Sequence, residues 1–149
     1  MIVRGAVFLH KDFKFKDGVS GIKRIVLLNT PENEDHYIFV KTTSKKKDKS
    51  ETPGCLTHPS SLFYIPGRKT KAFPLDTWVQ LHELYPMTPD SVSGNRRIKF
   101  IYALDEKTID DIVNCLFKTE GDNIPPIIEK YLRPPMTSSI LKLKNKWGA

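Results

Sequence analysis

The sequence predicts a mainly β fold, a small barrel with one closing helix toward its C-terminal end. Three observations lead there. Five or six short strand-like segments are separated by turns, no strand–helix alternation of the kind that builds parallel sheets is present, and one amphipathic helical pattern comes late in the chain. A length of 149 residues suits one domain with one sizeable core. Hydrophobic residues make up 39% and aromatics 10%, enough apolar surface to exclude global disorder.

Ile2 to Leu9 reads as a short strand with Val3, Ala6 and Phe8 inward and Gly5 allowing a close approach. His10 to Gly21 is polar and punctuated by glycine, so it reads as a loop, although Phe13 and Phe15 alternate with Lys14 and Lys16 within it. Arg24 to Asn29 is a continuous aliphatic run, as expected of a strand buried on both faces. His36 to Thr43, Leu62 to Ile65, Thr77 to His82 and Lys99 to Ala103 supply the remaining strands. Ser44 to Pro53, with Lys45, Lys46, Lys47 and Lys49, is an exposed loop; Arg68 to Lys71 is a basic turn, and Met87 to Asn95 is loop by composition.

The helix opens at Asp105 as N-cap, with Leu104 and Ile109 placed as a hydrophobic staple. Ile109, Ile112, Val113, Leu116 and Phe117 recur at helical spacing, and Gly121 ends the run. A second short helix is expected from Pro126 to Leu132, stopped by Pro134 and Pro135. This divides the chain into a barrel with its closing helix over residues 1–120 and a C-terminal extension over 121–149, the latter a short helix and a basic tail from Lys142 that Trp147 anchors.

Lys and Arg number 24 against 17 Asp and Glu, a net charge of +7 that draws the chain toward phosphate backbones or acidic partners. The N-terminus lacks the pattern of a signal peptide, and no apolar stretch approaches the length needed to cross a bilayer. Cys55 and Cys115 form no metal-ligand spacing and no disulfide framework, so a cytoplasmic protein with reduced thiols and no bound membrane is expected.

Four segments in order carry a family resemblance: Arg4 to Phe8, Ile22 to Asn29, Ile38 to Ser44, and Lys99 to Asp105 with the helix after it. Together they resemble the MazF/PemK-like toxins over roughly residues 2 to 118. The resemblance implies an SH3-like barrel, a homodimer, and an endoribonuclease that cuts single-stranded RNA without a metal or other cofactor. In that reaction the 2′-hydroxyl attacks the neighbouring phosphate, which requires a proton acceptor, a proton donor and positive charge on the phosphorane. The partner implied is an antitoxin or other regulatory protein.

The family's catalytic Arg falls at Lys23, with Arg24 beside it, and its Thr falls at Thr43, between Thr42 and Ser44. A lysine offers one point charge where arginine offers a planar fork, and adjacent strand residues point to opposite faces, so only one of Lys23 and Arg24 faces a given groove. His58, in Thr57-His58-Pro59, is the candidate acid or base near neutral pH. Lys14, Lys16, Thr42, Ser44, Lys45 and Lys46 are the candidate RNA contacts, since neighbouring lysines and aromatics grip backbones and stack bases. Two function classes follow: the ribonuclease toxin, or a MazF-like module that binds RNA or a protein without cleaving, such as a regulatory subunit of a defence or stress-response system.

Overall fold

The structure is a computed structural model that describes residues 2–15, 17–58 and 60–132. Lys16, the prolines after the second helix and the basic tail with Trp147 lie outside the described residues. Eight strands form one antiparallel sheet: β1 (Ala6–Lys14), β2 (Ser20–Leu27), β3 (Tyr37–Thr43), β4 (Gly54–Leu56), β5 (Leu62–Ile65), β6 (Thr77–Gln80), β7 (Tyr85–Met87) and β8 (Ile98–Ala103). Among the described residues three α-helices accompany them, α1 (Pro89–Val92), α2 (Glu106–Glu120) and α3 (Pro126–Leu132), with a 3-10 turn at Gly121–Asn123. None of the described helices is long and apolar enough to cross a membrane.

Strand order is β4-β5-β6-β3-β2-β1-β8, with β7 also paired to β3. One edge of β3 lies along β2, and its other edge is shared, Tyr37 to Phe39 by β7 and Thr42 to Thr43 by β6. Among the described residues the end strands β4 and β8 do not pair with each other, so the hydrogen-bonded path is open where a closed barrel is expected.

Alternation along the central strands explains their continuous apolar runs. Val7, Val26, Leu28, Ile38 and Val40 point to one face, where they meet α2 and α3. Ala6, Phe8, Ile25, Leu27 and Phe39 point to the other and pack with Phe13 and Val92. A strand between two cores needs an apolar residue at every position, and β2 supplies it from Ile25 onward.

Helix α2 starts where its capping chemistry dictates, with the Asp105 carboxylate accepting the Thr108 N–H at 2.7 Å. Leu104 and Ile109 are buried in the same cluster, as the staple requires. Ile124, Ile128 and Leu132 extend that cluster, so residues 121–132 pack into the core shared with the sheet.

Three expectations are corrected. The segment from His10 is strand rather than loop: β1 continues to Lys14 and pairs with β2 through an irregularity between His10 and Phe13, so ladder hydrogen bonds override its polarity. Within Met87 to Asn95, α1 forms because the Thr88 side chain caps it by accepting from Ser91 N. Cys55 of β4 and Cys115 of α2 are joined in a disulfide, with Cα atoms 5.5 Å apart, where reduced thiols are expected.

Candidate functional site

Antiparallel pairing of Ile25 with Lys41 sets Arg24 opposite Thr42 and Lys23 beside Thr43 at one end of the β2–β3 ladder. Lys23, Arg24, Thr42, Thr43 and Ser44 there line one cleft of about 120 Å³, which corrects the expectation that only one of Lys23 and Arg24 faces a given groove: both lie beyond the last β2–β3 pair, Ile25 with Lys41, at the open end of the ladder. Its other wall is Phe73, Pro74, Leu75 and Thr77, brought in because Thr43 pairs with Trp78 and Thr42 with Val79.

Hydrogen bonds fix the lining. Thr42 is buried and donates its hydroxyl to Arg24 O at 2.9 Å, which ties the two strands together. Lys23 Nζ donates to Thr42 O at 3.0 Å. Thr43 Oγ1 accepts the Lys45 N–H at 3.2 Å, leaving its own proton for another acceptor. Ser44 is exposed at the mouth. Arg24 Nε is buried without a hydrogen-bond partner among the described residues.

The cleft is cationic. Burial holds the Lys23 ammonium below its ordinary value, and the like charges of Lys41, Lys45 and Lys49 push the same way. Among the described residues no carboxylate comes within ion-pair distance of Lys23, and no Asp, Glu or His lines the cleft. Lys41 is partly balanced, with Glu83 at 3.6 Å. A phosphate entering the cleft would meet three kinds of donor at once: ammonium, guanidinium and hydroxyl.

The sequence candidates therefore separate. Lys23, Arg24, Thr42, Thr43 and Ser44 come together, and Lys45 adds charge beside them. His58 does not join them: it follows β4 beyond the Leu56–Leu62–Gln80 end of the ladder, whereas the cleft lies at the Thr77 end. Lys46 pairs with Glu51 at 3.3 Å. Lys14 is exposed at the far end of the β1–β2 hairpin, where it pairs with Ser20.

Phe13 is no platform for a base, being buried against Phe15 and Tyr85. Phe15 is half-buried, with Lys23 Nζ and Lys41 Nζ 5.7 and 5.9 Å from its ring centre. Sequence reasoning missed Lys41 and the Phe73–Thr77 wall. Lys41 was within reach, standing two residues before Thr43 on the same strand face. The wall arrives by long-range pairing, which leaves no local signal.

Among the described residues no group of three or more His, Cys, Asp or Glu side chains is placed to hold a metal ion. Neither the family models nor the curated proteins contain a match to this chain.

Proposed function

We propose that this chain is a MazF/PemK-like protein of SH3-like architecture that holds the phosphates of single-stranded RNA in the Lys23–Arg24–Thr43–Ser44 cleft. One observation carries the reading: residues nineteen apart in sequence, Lys23 and Thr42, converge with three further lysines around them and no carboxylate in the lining. Bringing Lys23 into partial burial beside three other lysines is unfavourable in the free protein. A bound phosphodiester reverses that cost.

Cleavage follows from the same groups. Lys23 exchanges a proton more readily than the arginine the family carries there, because its ammonium is held below its ordinary value while a guanidinium stays protonated. In this reading the 2′-oxygen bonds to phosphorus as the bond to the 5′-oxygen breaks, water takes the 2′-hydroxyl proton, the Lys23 ammonium gives a proton to the leaving 5′-oxygen, Arg24 balances charge on the phosphorane, and the Thr43 hydroxyl donates a hydrogen bond to a phosphate oxygen. A regulatory protein of the antitoxin type would act by filling the cleft with its own carboxylates. The second reading, a non-cleaving RNA-binding module, is favoured by the lining itself, which offers neither imidazole nor carboxylate as a conventional base.

Incubation of the protein with mixed single-stranded RNA in EDTA separates them. Cuts that leave a cyclic phosphate, lost on Lys23→Ala and Thr43→Ala, support the ribonuclease. Retention of RNA without cuts, weakened by the same changes, supports the binding module. Retention and cleavage both unaffected by those changes overturn the assignment of the cleft.

A further inference from the structure

A second cleft, about 640 Å³, lies where the sheet fails to close. One wall is β4 and β5, the other is the end of β8 with Leu104 and the first turns of α2. Its volume falls within the range that takes a nucleotide-sized ligand.

The charges in this second cleft do not cancel. Asp105 is engaged by the Thr108 N–H, and Asp111 pairs with Lys107 at 3.0 Å. Lys69 and Lys71 also line it; the Lys69 ammonium helps hold the Asp105 carboxyl below its ordinary value, and among the described residues no carboxylate lies within ion-pair distance of Lys71. Lys71 Nζ stands 5.9 Å from the ring centre of Tyr102, a residue 41% exposed, so a cation and an accessible aromatic share one wall. Grooves that hold single strands combine these two groups, one for the backbone and one for a base.

The two clefts share a partition. Residues 66–76 connect β5 to β6, and a bridge between Thr70 and Phe73 tightens them, with the Phe73 N–H donating to Thr70 O at 3.2 Å. Lys69, Thr70 and Lys71 face the large cleft, while Phe73, Pro74 and Leu75 wall the small one. Pro74 stands three positions after Lys71, a span of at most roughly 11 Å.

From this juxtaposition we infer that the large cleft is a second subsite for the same RNA strand, stacking a base on Tyr102 and holding the adjoining phosphates with Lys69 and Lys71. The inference rests on the proposed function of the small cleft. A strand fixed at Lys23 and Arg24 crosses the 66–76 loop and continues into the gap between the sheet ends.

The test compares a dinucleotide with an oligoribonucleotide of about eight nucleotides, measuring affinity against salt for the wild type, Lys69→Ala/Lys71→Ala, Tyr102→Ala and Lys23→Ala/Arg24→Ala. Thermal unfolding checks that each variant folds. For the longer RNA, Lys69→Ala/Lys71→Ala is expected to weaken binding and to flatten the salt dependence by about 1.4, two contacts at roughly 0.7 each. Tyr102→Ala is expected to weaken it about tenfold, with Tyr102→Phe restoring it. Dinucleotide binding should respond only to Lys23→Ala/Arg24→Ala. Loss on Lys23→Ala/Arg24→Ala with none on Lys69→Ala/Lys71→Ala or Tyr102→Ala overturns the second subsite alone. Indifference to every change overturns both readings.

Discussion

Reduction of the Cys55–Cys115 bond should destabilise the protein by a predictable amount. The bond joins positions separated by 60 residues and fastens the end strand β4 to the covering helix α2. Loop closure over that length removes roughly 14 cal/mol/K from the unfolded chain, about 4 kcal/mol at room temperature. For a chain of this size each kcal/mol moves the melting temperature by roughly 3 °C, so the expected drop is about 12 °C. The assay is thermal unfolding by circular dichroism, with and without a phosphine reductant. Cys55→Ser supplies the control: Cys55 is exposed, so the change removes the cross-link while the buried Cys115 side chain stays packed. Reductant should lower the wild-type midpoint to that of Cys55→Ser and leave the variant unmoved. A wild-type midpoint indifferent to reductant, or a variant as stable as the wild type, would refute the reasoning.

Other expectations follow from single residues. Ile112 is fully buried under the sheet, so Ile112→Ala should cost about 2–5 kcal/mol in urea unfolding. The exposed neighbour change Asn114→Ala should stay within about 0.5 kcal/mol. Hydrogen bonds from the Thr108 hydroxyl and amide hold the Asp105 carboxyl below its ordinary 3.8. A depressed folded value means that the stabilisation is complete above the unfolded value and lost as pH falls through the folded one. Acid unfolding of Asp105→Ala should therefore show a smaller stability loss below about pH 4 than the wild type. His58→Ala should leave RNA retention and any cleavage within twofold of wild type (about 0.4 kcal/mol), because His58 lies away from the cationic cleft; a larger loss would return it to the site.

The readable parts of this fold are those whose signals are local. Leu62–Ile65 and Pro126–Leu132 match their expected bounds because an unbroken β-rich run and a first-turn proline mark them directly. Asp105 is legible as a cap for the same reason. The extension of β1 through His10, Lys11 and Asp12 is not, since long-range pairing with β2 and β8 and the Arg97 hydrogen bonds make that polar stretch a strand. Pro86 hides β7, which pairs through just three residues. Two cysteines sixty positions apart leave no spacing pattern, so their bond emerges only when α2 packs on β4. The cleft is half legible. Adjacent strands bring Lys23 and Arg24 to Thr42 and Thr43, while the opposite wall depends on where β6 docks.

Amide shifts in a magnetic-resonance titration with a dinucleotide, recorded in EDTA, probe the cationic cleft most directly. The largest movements are expected at Ile22, Lys23, Arg24, Thr42, Thr43, Ser44 and Thr77, with loss of the response in Lys23→Ala/Arg24→Ala. Movements confined to other surfaces, or none at saturating dinucleotide, would contradict it.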